Sequence, residues 1–222
     1  MTMNARKAFD AELQELSDSL VHMGNTASTA IARAVTALLT EDRALAAQVA
    51  AGDDEVDELE RHIEQQCLRL LLKQQPVASD LRKISTAIKM ITDIERIGDA
   101  AEDIAEITLY LASPVFPEIL DDLKEMAGTA LLMVSSAIDA YVREDLDLAN
   151  ETRKKDDIVD AYFLKIRTAL GEKIRTAPDQ MHAAMDYLMI IKYLERVGDH
   201  AENICEWVEF YKTGFRKTGR IF

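Results

Sequence analysis

Apolar residues recur along this chain in alternating steps of three and four. Ile84, Ala87, Ile91, Ile94, Gly98, Ala101 and Ala105 form one such series, the spacing that aligns one stripe of a helix turning about every 3.6 residues. Few stretches alternate with the period of two that a half-buried strand requires. Helix punctuation falls near Thr40 to Asp42, Gln74 to Ser79, Ala112 to Pro117, Arg143 to Asp145 and Thr176 to Asp179, where turn formers gather with helix-starting Pro, Ser and Asp. These breaks predict an all-α protein of six long helices. At roughly 25 to 35 residues and ~1.5 Å per residue, each would be a rod ~40 to 50 Å long, joined by loops short enough to make neighbours antiparallel.

The pattern is written twice. ERIGDAAEDIAE (Glu95 to Glu106) returns one hundred positions later as ERVGDHAENICE (Glu195 to Glu206). GDDEVDELE (Gly52 to Glu60) aligns with KDDIVDAYF (Lys155 to Phe163), and a proline, Pro76 or Pro178, follows each. The simplest architecture is two tandem, repeat-related three-helix bundles over residues 1–112 and 117–214, with ASPVFP as the linker and a basic tail at 215–222. The final stretch, FYKTGFRKTGRIF (Phe210 to Phe222), mixes aromatics with Lys and Arg, which suits either a partner contact or a solvated chain end.

Composition narrows the function classes. Of 222 residues, 48% are hydrophobic, enough for a sizeable core, and Gly (8) and Pro (4) are scarce, as helices require. Twenty-six Lys and Arg against forty Asp and Glu leave a formal charge of −14, which repels nucleic acid and anionic lipid. The first residues, MTMNARKAFDAELQEL, lack the apolar centre of a signal peptide, and no apolar run reaches the ~20 residues that cross a bilayer. A cytoplasmic protein is expected. Cys67 and Cys205 lie alone in helical sequence and read as packing residues.

The candidate chemistry lies in the acids of the repeat. Residues four apart share one helix face, so Glu95 and Asp99 belong together, as do Glu195 and Asp199. One such pair is ordinary surface; a second pair facing it is not. The preceding helix supplies Asp53 with Asp57, and Asp156 with Asp160. If the two helices form a hairpin, residues equidistant from its turn lie opposite each other. Residues 57 and 95, like 53 and 99, are equidistant from Pro76; residues 160 and 195, like 156 and 199, are equidistant from a point beside Pro178. Each half therefore brings four carboxylates to one level across a gap of ~8 to 10 Å. Four anions there raise one another's pKa or demand a cation. Oxygen-only donors favour hard or borderline divalent ions such as Mg, Mn, Fe(II) or Ca.

Gly98 and Gly198 sit between the paired acids, where glycine costs about 1 kcal/mol relative to alanine. Either close approach of the neighbouring helix or room for an ion's water explains them. A di-iron oxidase bundle would carry Glu-x-x-His motifs, and none of His22, His62, His182 or His200 has a Glu three residues earlier. His200, whose counterpart is Ala100, reads as surface or as support beside Asp199. No phosphate-binding glycine loop and no nucleophile elbow occurs, so no enzyme is expected.

At these residues the chain resembles the PhoU family of phosphate-uptake regulators: QPVASDLRKIS (Gln75 to Ser85) leading into IERIGDAAEDIAE, repeated as YLERVGDHAENICE. The resemblance implies metal ions of a divalent or iron type (Mg, Mn, Fe or Zn) at Asp53, Asp57, Glu95, Asp99 and Asp103, and at Asp156, Asp160, Glu195, Asp199 and Asn203. Asn203 stands where the first half has Asp103, offering oxygen without charge. It further implies a negative regulator, an adaptor between the ATPase-driven phosphate-specific ABC transporter and a phosphate-sensing membrane histidine kinase. The membrane would be reached only through those partners, with a homodimer as the expected assembly. The alternative expectation is a catalytic or storage role for a polynuclear metal centre, and the blandest is a scaffold with solvated acidic faces.

Overall fold

Turn chemistry recurs with the repeat. Glu41 and Glu144 both take the left-handed conformation (φ 56° and 52°), which ends a helix and reverses the chain. The next residue caps the following helix in each case. Asp42 accepts a hydrogen bond from the Leu45 amide at 2.9 Å, and Asp145 accepts from the Asp147 and Leu148 amides, both at 3.0 Å. Pro117 opens its helix from the first turn, where its missing N–H has no partner to lose.

This computed structural model describes residues 3–52, 54–73, 76–111 and 116–215, without the side chains of residues 3–5 and 73. Within them run α1 (Met3–Thr40), α2 (Arg43–Ala50), α3 (Asp54–Lys73), α4 (Ala78–Tyr110), α5 (Pro117–Arg143), α6 (Leu146–Arg153), α7 (Asp156–Thr176), a 3-10 turn (Pro178–Gln180) and α8 (Met181–Thr213). No strand occurs among the described residues. The six long helices are present, from 20 residues in α3 to 38 in α1. Each repeat gains a short helix of eight residues, α2 or α6. The punctuation did not mark these two interruptions. The first falls at Ala51 and Gly52, where glycine favours a stop. The second, at Lys154 and Lys155, carries neither glycine nor proline. Most of the linker, residues 112–115, and the tail beyond Phe215 lie outside the described residues.

In the first repeat α1, α2 and α3 pack on α4; in the second α5, α6 and α7 pack on α8. α4 and α8 also pack on each other, so each is the shared strut of its own bundle and of the pair. Their direction is fixed by two contacts. Asn203 donates to Asp93 at 3.1 Å, while Tyr193 hydrogen-bonds Asp103. As the number rises on one helix it falls on the other, so the two lie antiparallel, related by a pseudo-twofold. One continuous apolar core runs through both halves, from Leu16, Leu20 and Ile31 to Ile94, Ile97, Leu194, Val197 and Ile204. Alanines at 27, 34, 37, 87, 101 and 201 are buried too, and let the rods come close.

At the ends of α1 and α4 an ion pair ties the bundle. Asp80 is buried, accepts from Arg6 at 2.7 and 3.1 Å, and accepts from the Val77 amide at 3.3 Å. The Arg6 hydrogen bond holds its carboxyl below the ordinary aspartate value, against the opposing effect of burial.

Candidate metal centre

The hairpin of α3 and α4 sets the first acidic cluster. Asp57 on α3, and Glu95 and Asp99 on α4, each offer a carboxylate oxygen, and these atoms all lie within 4.8 Å of one another. It is the cross-turn pairing that distance from Pro76 predicts for 57 and 95. Asp53, the fourth expected ligand, lies outside the described residues. α3 reaches α4 at Gly98: a methyl group there would press to 3.1 Å from Val56, itself buried. In this repeat the glycine is explained by close helix packing.

Burial and the neighbouring Asp99 push the Glu95 carboxyl up to about 7, with Arg96 opposing and Glu60 and Asp57 adding to the rise. Glu95 Oε2 is buried with no hydrogen-bond partner, although Arg96 Nε lies 3.3 Å away without hydrogen-bond geometry. Arg96 pairs better with Asp99, at 2.6 Å, and Arg61 pairs with Asp57 at 2.9 Å. Both arginines are solvent-facing, and such pairs contribute little in water. An orphaned carboxylate oxygen beside two other acids is a donor set that a divalent cation would satisfy.

In the second repeat the corresponding acids stand on α7 and α8, but they do not converge as closely: among the described residues, Asp57, Glu95 and Asp99 form the group whose carboxylate oxygens all lie within 4.8 Å of one another. Asp156 feels Asp199, Glu202, Asp160 and Glu195, yet burial is the largest cause that takes its carboxyl up to about 7. Asp156 Oδ1 is buried without a hydrogen-bond partner, as Glu95 Oε2 is in the first repeat. Gly198 makes room for it: a methyl group at that position would stand 3.0 Å from Asp156 Oδ1 and 3.5 Å from Val159. Here glycine clears space for a candidate ligand as well as for the helix. Asp199 is also raised, by burial and by Glu195, with Lys192 acting against them. Lys192 ion-pairs with Glu195.

Asp103 and Asn203 belong elsewhere. Asp103 engages Tyr193, and Asn203 uses its amide to reach Asp93, so both serve the contact between α4 and α8. Four residues of helix advance a side chain by about 40°, and that drift carries position 103 or 203 from the acid cluster to the opposite strut. His200 likewise bonds Asp93 at 3.0 Å, and Trp207 Nε1 donates to the same carboxylate at 3.1 Å. His200 is therefore part of the contact between repeats, and the carboxylate of Asp93 had no motif to announce it.

Arg153, at the end of α6, is mostly buried and ion-pairs with Glu202, Glu206 and Glu209 of α8 at 3.3, 3.5 and 3.2 Å. It binds α6 to α8 immediately before the break that starts α7 at Asp156. The first repeat has Ala50 at the corresponding place, so sequence similarity between the halves did not reveal this clamp.

Comparison with known proteins agrees over nearly the whole chain. The family model described as PhoU domain matches twice, at residues 20–108 and 123–208. A relative from Thermotoga maritima, named phosphate-specific transport system accessory protein PhoU homolog 1, is 39% identical over 207 residues, covering 93% of this chain and 89% of its own. A Clostridium acetobutylicum relative, named phosphate-specific transport system accessory protein PhoU homolog, is 36% identical over 210 residues, covering 94% and 96%. The crystal structure of PhoU from Pseudomonas aeruginosa superposes with a TM-score of 0.89 at 34% identity, covering 93% of this chain and 99% of that one.

Proposed function

The chain belongs to the PhoU family, and from that premise we propose that it is a metal-binding regulator of phosphate transport and of the response to phosphate starvation. The observation that carries this reading is the double match of the family model, one copy in each repeat, together with relatives named for the phosphate-specific transport system. The proposed mode of action is that of an adaptor. It docks on the ATPase of the phosphate ABC transporter and on a phosphate-sensing histidine kinase, and keeps the starvation response off when phosphate is plentiful. No described helix is long and apolar enough to cross a membrane, so attachment to such partners would rest on surface contacts. The formal charge of −14 suits docking on basic faces.

Asp57, Glu95 and Asp99 would hold one divalent cation, and Asp156, Asp160, Glu195 and Asp199 another. The ion's role is structural: it balances the clustered carboxylates and fixes α3 against α4, and α7 against α8. The test is made in cells. With the gene deleted, a starvation-controlled phosphatase promoter should become active in high phosphate, and the tagged protein should co-purify with the transporter from detergent-solubilised membranes. A promoter that stays repressed, with no transporter recovered, would reject the regulator.

A further inference from the structure

Along α8, Met181, Met185 and Met189 stand open to solvent, 38, 50 and 46% exposed. Spaced four apart, they line one edge of the helix over ~12 Å. Lys192 and Arg196, both exposed, continue the same edge. On α7, Arg167 lies over the Phe163 ring at 5.6 Å, and Lys192 reaches that ring from α8, also at 5.6 Å. An apolar strip thus runs into three cations, on a chain whose formal charge is −14. The equivalent positions of α4 carry Leu81, Ser85 and Lys89, so the fold itself does not require methionine there. Gly171 is a second, independent sign. It follows the half-exposed Leu164 by about two turns on the same side of α7, and distance from the turn places it level with residue 184, beside Met185. A methyl group at 171 would meet nothing within 4 Å. Val56 accounts for Gly98 and Asp156 for Gly198, but no contact among the described residues accounts for a glycine at this point of a helix.

We propose that the hairpin of α7 and α8 is the docking face for an amphipathic helix of a partner protein, whose apolar side lies on Met181, Met185 and Met189 and whose adjoining carboxylates meet Arg167 and Arg196. The inference deepens the adaptor role proposed above and rests on it. A hairpin of two antiparallel helices presents a groove that a third helix fills, apolar side inward. Methionine suits such a groove, because its unbranched side chain reshapes around whatever apolar residues arrive. The glycine at 171 lowers the shoulder of α7 beside Met185, so an incoming helix can come close. Charge selects the partner. The acidic surface elsewhere repels an acidic helix, while the cations at one end of the strip attract it and set its direction. Lys192 is shared with Glu195, whereas Arg167 and Arg196 form no ion pair among the described residues.

The probe is a synthetic helical peptide of about 18 residues with leucines at every third or fourth position and a glutamate-rich end, labelled for fluorescence anisotropy. It should bind the full chain about tenfold or more tightly than the same peptide with lysines in place of the glutamates. M185E, and R167E with R196E, should each weaken binding about tenfold. G171Q is the control for folding: its melting temperature should equal or exceed the parent's, since nothing stands within 4 Å of the added carbon, while its affinity falls about fivefold. Equal binding of the two peptides, or binding indifferent to M185E and G171Q, would overturn the inference. So would sedimentation with phosphatidylglycerol vesicles, or a dimer abolished by M185E, in place of peptide binding. In each of these cases the adaptor reading survives provided that the unsubstituted protein still co-purifies with the transporter. Failure of that co-purification would reject the adaptor, and the inference with it.

Discussion

Glu95 and Asp80 are carboxylates in one helix with opposite histories. Glu95 is pressed towards its protonated form by burial and Asp99; Asp80 is held ionised by Arg6. Asp80 makes a prediction about acid. A carboxyl held below its unfolded value contributes stability that is present above that value and is lost as pH falls through the folded one. The Arg6→Ala variant should therefore melt below the parent protein at pH 7, and the gap should close as the pH is lowered through the range below 4, the ordinary aspartate region. Thermal melts at pH 7, 5 and 3 decide it, and a gap that persists unchanged at pH 3 would speak against the ion pair. Residue chemistry of this kind was partly legible. The cost of glycine in a helix singles out both positions, but only the packing of Val56 against Gly98 and of Asp156 Oδ1 against Gly198 tells the two roles apart.

Between elements, the contact of α4 with α8 rests on a carboxylate, Asp93, that no motif marks. Asp93 accepts from His200, Asn203 and Trp207, all on α8. Leaving a buried donor without an acceptor costs ~1 to 3 kcal/mol, and these three are only partly buried, so Asp93→Ala should destabilise by about 1 to 3 kcal/mol in urea unfolding. A loss under about 0.5 kcal/mol would show the contact to be incidental. Six helix positions and the cross-turn pairing followed from the apolar period and from the prolines, because both are local. The Arg153 clamp did not, because its partners are three glutamates of α8 distant in sequence, and the break before Asp156 carries neither glycine nor proline to mark it. Asp103 and Asn203 had the right spacing for the acidic stripe. What redirects them is the antiparallel strut beside them, which one helix's periodicity does not contain.

At the scale of the molecule, duplication explains why the motif returns after one hundred residues, and the pseudo-twofold between α4 and α8 explains how two copies share one core. The acidic clusters then sit in matching hairpins, each with one buried carboxylate oxygen lacking a partner. That coincidence is what a cation at each hairpin would account for, and metal content tests it most directly. The full chain, purified without chelator and analysed by mass spectrometry of its elements, should carry bound divalent or iron-type metal. Combining E95A and D99A with E195A and D199A should abolish it while the helical content is retained. Metal content unchanged in that quadruple variant, or absent from the parent protein even after incubation with Mn2+, would contradict the account.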